Sequence, residues 1–600
     1  MSEAVQKLKH KSPHGTVMAV SMMKDEAPYL LEWFAHHMAI GFTDILVYTN
    51  DCSDGTVEML ERLEELGLGY HRPNVIPEGV KPQPSALNHA ENEPLVAAAD
   101  WLLVFDADEF LCINHPSGSL DGMLDDAVAL DANGIVITWR IYGSGYVTEW
   151  SRDPVTEQYL YAAPPQWRMG WGVKTLFKYD PEYWRLGIHR PKIRKKHMDD
   201  GFPDTVHWLN GSGRPMEDYF KFRGWRSIRR TIGYDWAQLN HYAIKSVDAY
   251  AIRKFRGNVN NKKDKYNADY WSLQDRNEVR DESALNHAAK RQEIMGELLK
   301  DPVLGPLHEA ANAKVEARLA EYKQTEAYEE LKSGLIEAGK VPITQVTAKP
   351  PQARDPEKIA ALMSDVEKRA NAKPKSERRS KPAPEFGEPG GSPYYPGPID
   401  LSAEIPVQIV DNRGLRVPAD IRLFTPETLD ALLAGKFERR PSRYIISQTE
   451  GCTKLLDVTE GVGIVGMIAA QAHPGLHVVI QQERDDLLAM ARTIAGMNEL
   501  TDRVRYARGP LVLPGDTPET GAQGLAKCLA EFQPDVLRIT TDALDPALVG
   551  AAQLAGLRRV LLIHDGDSAA LAVWDKLLTA QGFGKEDDGE SHGTAVYRRQ

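Results

Sequence analysis

The sequence predicts an α/β protein with two separate domains, each built on a mostly parallel sheet. Apolar stretches of strand length alternate with helix-length stretches over 16–260, and a second alternation begins near residue 400. Such alternation is typical of parallel sheets covered by helices. A stretch rich in Pro, Lys, Glu and Gly separates the two and is too polar to fold alone. We expect a first domain over 1–270, a helical appendage over 271–342, a linker over 343–400 and a second domain over 401–600.

The elements of the first domain follow from the spacing of its apolar residues. Helices are predicted over 29–40, where Leu30, Phe34 and Met38 share one side, and over 56–66, which ends before Gly67. The charged segment that follows the domain predicts further helices; whether these only complete the domain or bind a partner is left open. Strands are predicted over 16–21, 44–48, 101–105 and 134–138.

The second domain shows the same kind of alternation without sharing sequence with the first. Helical segments lie between its short apolar runs, so a second parallel sheet is expected. Its strands are predicted over 454–458, 477–480, 536–539, 559–563 and 593–597.

Composition limits the classes of function. A formal net charge of -13 over 600 residues argues against general nucleic-acid binding. The four cysteines lie far apart, without metal-ligand spacing or a disulfide framework, which indicates a reducing cytoplasm. No signal peptide and no apolar run of about 18 residues are found, so no transmembrane helix is expected. Any contact with the inner face of a membrane would be peripheral.

The most informative motif is an apolar run that ends in two carboxylates, Asp106 and Asp108. Residues two apart in a strand point to the same face. Both side chains can then reach one hard cation, Mn²⁺ or Mg²⁺, which also grips a diphosphate. The alternative is that these acids are solvated loop residues or cap a helix.

Several motifs then line up in order along the first domain. Together they resemble the family-2-like glycosyltransferases of bacteria and, more distantly, the family-92 glycosyltransferases. The resemblance implies a GT-A (Rossmann-like) fold, a divalent metal, a nucleotide-sugar donor and a glycan or lipid-linked acceptor. Asp25 departs from the family, which has Asn before Glu26. The motifs are Lys24-Asp25-Glu26, Glu32-Trp33, His36 to Gly41, Asn50 to Thr56, and Asp106 to Phe110.

The resemblance also assigns roles to individual residues. For Asp54, and for Ser53 before it, capping the helix near Thr56 is an equally good interpretation. Lys174 is either a phosphate-facing point charge or a solvated lysine at a strand edge. The implied donor-binding residues are Glu26, Asp51, Asp54, Asp106 and Lys174, and the implied metal ligands are Asp106, Asp108 and His241, with His189 and His207 as alternatives to His241.

The general base is not identified by the sequence. A transferase that inverts its sugar needs a carboxylate within hydrogen-bond reach of the acceptor hydroxyl. Spacing alone does not choose among the acids Glu149, Glu157, Asp204 and Asp218. The predicted function is a metal-dependent glycosyltransferase; the alternatives are a non-catalytic scaffold or binding protein, or a bifunctional glycosyl- and methyltransferase.

The second domain resembles the FkbM-like methyltransferases, which use S-adenosylmethionine. A glycine loop follows its first strand, and an acid ends the next strand, as an adenosyl cofactor requires. Thr459 replaces the first glycine of the family's loop, and the family's later acidic segment has lost most of its acids at 538–543. Whether this domain binds the cofactor is therefore left open. The alternative is a degenerate domain that serves in packing or partner contact. The residues implied for the cofactor are Asp457, Gly461, Gly463 and Glu483.

Overall fold

The structure, a computed structural model, divides into two compact units, Met1–Glu388 and Pro389–Gln600. Each unit contains a parallel-rich sheet covered by helices, so the predicted α/β class is confirmed for both. Most of the predicted linker over 343–400 lies outside the described residues, and the predicted domain boundaries stay predictions. The structure describes residues 7–256, 266–347, 391–508, 528–541, 554, 556–564, 568–586 and 593–600, with 368 and 374.

The first unit is organised around a nine-stranded sheet with the order β3-β2-β1-β4-β8-β6-β12-β5, in which β11 also pairs with β6. β1 runs parallel to β2 and β4, whereas β8 is antiparallel to both β4 and β6. The strands are β1 Val17–Met23, β2 Asp44–Thr49, β3 Tyr70–Pro73, β4 Trp101–Val104, β5 Glu109–Ile113, β6 Gly134–Ile141, β7 Tyr161–Ala162, β8 Val173–Lys178, β9 Trp184–Arg185, β10 Lys192–Ile193, β11 Trp208–Asn210, β12 Ala237–His241 and β13 Val279–Arg280.

Helices cover this sheet. The first begins two residues before its predicted start, because Pro28 is accepted in the first turn of a helix. The helices are α1 Ala27–Ile40, α2 Thr56–Glu65, α3 Pro82–Ala90, α4 Pro94–Ala97, α5 Leu120–Ala129, α6 Val155–Gln158, α7 Phe202–Thr205, α8 Val247–Arg256, α9 Ala268–Gln274, α10 Ala288–Leu299, α11 Leu304–Tyr322 and α12 Glu326–Gly339, with 3-10 turns at Arg168–Gly170, Lys195–His197, Asp218–Lys221, Ser283–His287 and Ile343–Gln345.

Two apolar clusters form the core of the first unit. One joins the sheet to α1, α2 and α5, and it continues into α10 and α11 through buried Ile294, Leu298 and Ala311. The other joins the sheet to α3 and to the aromatic residues Trp184 and Trp208. Burial of this apolar area is the main stabilising term, and it holds α11 against the first unit near the carboxyl end of β1.

The second unit contains a seven-stranded sheet with the order β18-β17-β16-β19-β20-β22-β21, preceded by the hairpin β14-β15. Its first five sheet strands are parallel, in the order of a doubly wound fold, and β22 runs antiparallel to its two neighbours. The elements are β14 Ile409–Asn412, β15 Leu415–Pro418, α13 Pro426–Leu433, α14 Arg439–Gln448, β16 Lys454–Val458, α15 Ile464–Ala472, β17 His477–Gln482, α16 Asp485–Met497, β18 Val504–Arg508, β19 Val536–Thr540, β20 Arg559–Ile563, α17 Ser568–Ala580, β21 Phe583–Glu586 and β22 Thr594–Arg599.

None of the helices in the described part of the chain combines the length and the apolar character needed to cross a membrane.

Candidate functional site

The candidate site of the first unit lies where the carboxyl ends of β1 and β4 meet. The chain leaves β1 toward one edge of the sheet, through β2 and β3, and returns to place β4 on the other side of β1. Such a change of direction opens a crevice that binds ligands in parallel α/β sheets. The loop after β1 carries Asp25 and Glu26, and the loop after β4 carries Asp106 and Asp108.

Asp106 contacts a fully buried lysine from the neighbouring strand β8. Its Oδ2 lies 3.1 Å from the Nζ of Lys174, and its Oδ1 accepts a hydrogen bond from Gln83 at 2.9 Å. The same ammonium lies 3.5 Å from Glu109, whose carboxylate also accepts the backbone N–H of Asp106. Burial raises the pKa of Glu109 well above its usual range, against the opposing charge of Lys174.

Lys174 is therefore an internal counterion. Burial works to lower its pKa, but the carboxylates of Asp106 and Glu109 outweigh burial and leave the pKa raised. Its side chain has no exposed surface, so the structure does not place it where a phosphate would touch it, and it is not the solvated edge lysine of the alternative. The sequence did not reveal this burial because a lone lysine in a strand is usually exposed.

Asp108 points to a different set of basic groups. Its Oδ2 lies 2.9 Å from Arg253 of α8, and its Oδ1 lies 3.7 Å from the Nε2 of His241 at the end of β12. Burial would raise the pKa of Asp108, but Arg253, His241 and Lys245 hold it well below its usual range. The structure thus brings together Asp108 and His241, the pair expected from the sequence, and adds Arg253.

These residues do not fit the predicted Mn²⁺ or Mg²⁺ site. Within the described residues there is no group of three or more His, Cys, Asp or Glu side chains that could hold a metal ion. Asp106 is neutralised by Lys174 and Asp108 by Arg253, so each carboxylate already has a cation of its own. Of the alternative histidines, His189 packs against Trp139, which also contacts His241, whereas His207 lies elsewhere and contacts Asp131.

A pocket beside these carboxylates, which we name the charged pocket, encloses about 620 Å³ including its open mouth. Tyr29 forms part of its wall, and the Nζ of Lys245 lies 4.6 Å from the centre of that ring. Asp25 and Lys245 both have the left-handed backbone conformation, with φ of 51° and 59°, a strain that side chains other than glycine rarely accept. The charged residues of the pocket are Asp25, Glu26, Asp54, Lys245, Arg253, Lys314 and Arg318.

Asp54 has the capping role that the sequence left open, while its role in donor binding stays a prediction. Its carboxylate accepts hydrogen bonds from the backbone N–H of Ala27 at 3.0 Å and of Thr56 at 3.0 Å, the first residues of α1 and α2. It also lines the charged pocket together with Glu26. Asp51 lies apart from the pocket, with a side chain that is 76% exposed and 4.0 Å from Lys24.

Arg253, Lys314 and Arg318, three of the four basic residues of the pocket, were not selected as site residues from the sequence. Lys314 and Arg318 are four residues apart on α11, a spacing that places both on one helix face. Lys314 donates a hydrogen bond to the backbone carbonyl of Ser53, so α11 reaches the loop that carries Asp54. The spacing of Lys314 and Arg318 in the sequence indicates a basic helix face. The closeness of α11 to β1, however, depends on contacts between residues that are distant in sequence.

In the second unit, the glycine loop after β16 is covered by an aromatic side chain. Tyr394 is 5% exposed, packs against Phe424, and accepts a hydrogen bond from the backbone N–H of Val462 at 3.3 Å. A Cβ atom on Gly461 would lie 2.3 Å from its hydroxyl oxygen. Gly463 has a φ of 73°, which explains why glycine stands at the start of α15.

The polar groups near this loop are engaged with one another. Asp457 is fully buried and lies 2.6 Å from Arg538 of β19. Gln482, at the end of β17, donates hydrogen bonds to the carbonyls of Thr459 at 2.9 Å and Gly461 at 3.1 Å, while Glu483 follows it. The polar groups predicted for S-adenosylmethionine are thus held by contacts within the chain: Asp457 pairs with Arg538, and Tyr394 and Gln482 contact the glycine loop.

Neither a protein-family model nor a curated protein matches the sequence. Among solved structures, the chain is similar to an enzyme of the caffeoyl-CoA O-methyltransferase type from Staphylococcus aureus, with 12% identity and a TM-score of 0.22 over 26% of this chain and 82% of that chain. It is similar to an O-methyltransferase family protein from Burkholderia thailandensis, with 12% identity and a TM-score of 0.22 over 29% of this chain and 59% of that chain. It is also similar to a methyltransferase from Geobacter sulfurreducens, with 19% identity and a TM-score of 0.22 over 26% of this chain and 78% of that chain.

These comparisons correct the enzyme class expected from the sequence. The expectation of a family-2-like glycosyltransferase is wrong, since the solved structures that the chain resembles are methyltransferases. The methyltransferase-like, Rossmann-like part of the predicted resemblance agrees with them. At these TM-scores the similarity transfers no activity, substrate or cofactor to this chain.

Proposed function

We propose that the first unit is a binding module for a phosphorylated, hydroxyl-rich small molecule, of which a nucleoside diphosphate is the simplest probe. The observation that carries the proposal is the composition of the charged pocket, in which four basic side chains and three carboxylates line one cavity. A ligand that is both an anion and a hydroxyl donor satisfies both kinds of group.

The basic groups suit the phosphate end of such a ligand. Arg318 and Arg253 offer planar donor pairs, which match phosphate oxygens, and Lys245 and Lys314 add point charges. Arg253 already contacts Asp108 at 2.9 Å, so its guanidinium is held in place before a ligand arrives. Preorganised donors of this kind cost less on binding than mobile ones.

The acidic groups suit the hydroxyl groups. Glu26 and Asp54 lie on the loops after β1 and β2, at the sheet edge where parallel α/β folds bind nucleotides. The central strand order and the antiparallel β8 also support the GT-A layout for this unit. We assign no transfer reaction to it, and the basic residues hold the phosphate without a metal ion.

Titration calorimetry of the full chain with UDP and GDP, in EDTA and then in Mn²⁺, tests the proposal. We expect binding in EDTA that weakens at least about tenfold when Lys314→Met and Arg318→Met are combined. Lys300→Met, which removes an exposed base just before α11, is the matched control. Binding that appears only with Mn²⁺, or no binding by folded protein, would overturn the proposal.

For the second unit we propose a structural role rather than use of S-adenosylmethionine. Supporting this are the Tyr394 ring against Gly461 and the Asp457–Arg538 pair. Titration of the full chain with S-adenosylmethionine is expected to give no heat of binding. Saturable binding would restore the cofactor interpretation.

A further inference from the structure

A second cavity adjoins the charged pocket, and its lining has a different character. It encloses about 470 Å³ including its mouth, and Pro28 and Tyr29 line both cavities. We name it the neutral pocket. Trp150 and Pro154 add flat apolar walls, and the indole N–H of Trp150 donates to the hydroxyl of Tyr29 at 3.1 Å. Flat rigid walls of this kind favour a planar ligand.

The ionic groups of the neutral pocket are engaged with other groups. The carboxylate of Glu32 accepts three hydrogen bonds, from the backbone N–H of Val155 and Thr156 and from the Thr156 hydroxyl, at 2.7–3.0 Å. Arg291 donates to Thr156 and to Glu157.

The groups nearer the surface are engaged as well. Arg152 pairs with Glu309 at 2.8 Å and with Glu316 at 2.6 Å, and the exposed Asp153 accepts the hydroxyl of Ser151 at 2.6 Å. A charged ligand would therefore have to displace an existing partner and to lose its own hydration. These contacts favour an uncharged ligand.

Two polar groups in the lining lack such partners within the described residues. Asn312 of α11 is 3% exposed, lines the cavity, and its carboxamide makes no hydrogen bond there. The Nδ1 of His308, one helical turn earlier, is buried and also has no hydrogen-bond partner. Burial lowers the pKa of His308, so its ring is neutral at pH 7. Buried polar groups normally have partners, and a bound ligand would supply them.

We infer that the neutral pocket is a binding site for an uncharged heterocyclic ring with an amide-like edge, the chemistry shared by nucleobases and nicotinamide. The carboxamide of Asn312 offers one donor and one acceptor to such an edge, and His308 adds a third contact. Tyr29, Trp150 and the two prolines enclose the faces of the ring. The inference does not rest on the phosphate site, because its ligand carries no charge.

Saturation-transfer NMR and calorimetry of the full chain test this inference with uridine, cytidine, adenosine, guanosine and nicotinamide, none of which carries a phosphate. We expect at least one of them to bind with a Kd below about 1 mM. Binding should weaken at least about tenfold in Asn312→Leu, which keeps the side-chain size but removes both hydrogen bonds. His308→Phe, which keeps an aromatic ring at this position, is also expected to weaken binding. It replaces Asn312→Leu as the test if that variant does not fold.

Asn88→Leu is the matched control, because Asn88 is exposed on α3 and lines neither cavity. Unchanged binding in both Asn312→Leu and His308→Phe would overturn the inference. So would binding of methyl glucoside in preference to every heterocycle, or no binding at all. Because UDP and GDP also carry nucleobases, titration with inorganic pyrophosphate, which has none, reports on the charged pocket separately through Lys314 and Arg318.

Discussion

The hydroxyl oxygen of Tyr394 lies 2.3 Å from the point where a side chain on Gly461 would begin, and two ring carbons lie within 2.5 Å of the same point. Real Cβ contacts are never this short, so the glycine and the tyrosine depend on each other. Gly461 leaves room for the ring, and the ring closes the cleft above the loop after β16.

Gly461→Ala is therefore expected to destabilise the second unit by about 1–3 kcal/mol, the usual cost of overpacking a buried site. Urea denaturation followed by fluorescence measures this cost. Gly475→Ala is the matched control, because no atom lies within 4 Å of its Cβ position. Combining Gly461→Ala with Tyr394→Leu should recover part of the loss, and strictly additive effects would contradict the contact.

Lys174→Met is expected to destabilise the first unit by about 3–5 kcal/mol, because it leaves Asp106 and the buried Glu109 without their shared cation. Lys178→Met, on the same strand but exposed, should change stability by less than about 0.5 kcal/mol. Both variants are compared by urea denaturation. Equal stability of the two would show that the ion pairs of Lys174 contribute nothing.

Asp54→Ala is expected to cost about 1–3 kcal/mol, because the backbone N–H groups of Ala27 and Thr56 lose their shared acceptor. Hydrogen exchange at these two amides should become faster in the variant. Glu58→Ala, an exposed change in the first turn of α2, is the control. Protection that stays the same at both amides would contradict the capping role.

Glu438 provides a pH-dependent test in the second unit. Burial and the neighbouring Asp457 raise its pKa from an ordinary 4.5 to about 7, against the opposing charge of Arg538. A carboxyl group with a raised folded-state pKa stabilises the fold fully below pH 4.5, and that stability is lost as pH rises through about 7.

Glu438→Gln removes this titration. As pH rises from about 5 to about 8, the free energy of unfolding of the variant is expected to increase by about 1–3 kcal/mol relative to that of the natural chain. Thermal or urea unfolding at the two pH values measures the difference, with the exposed Glu450→Gln as control. A difference that does not change with pH would mean that Glu438 titrates normally.

The sequence predicted well what depends on local pattern. The strands that deliver Asp106 and Asp457 follow from unbroken apolar runs, and the closeness of Asp108 and His241 follows from two motifs expected at one sheet edge. These features need only the alternation of strands and helices. Local pattern therefore located the crevice of each unit.

What the sequence did not predict depends on contacts between distant segments. The burial of Lys174 is set by its neighbours Asp106 and Glu109, and Arg253 takes the place beside Asp108 where a metal ion was expected. Tyr394 reaches the glycine loop from a segment 67 residues before Gly461. A motif does not state which distant side chain will fill the space beside it, so metal and cofactor ligands were predicted where the chain supplies its own partners.

The bond from Lys314 to the carbonyl of Ser53 has a practical consequence for expressing the first unit as a fragment. A fragment that ends at residue 270, where the pattern of strands stops, would keep the acidic loops but lose Lys314 and Arg318 along with the rest of α11. It would also uncover the apolar face of α1 that α10 and α11 bury. Such a fragment would be prone to aggregate and poor at holding an anion, and both defects would trace to the missing helices.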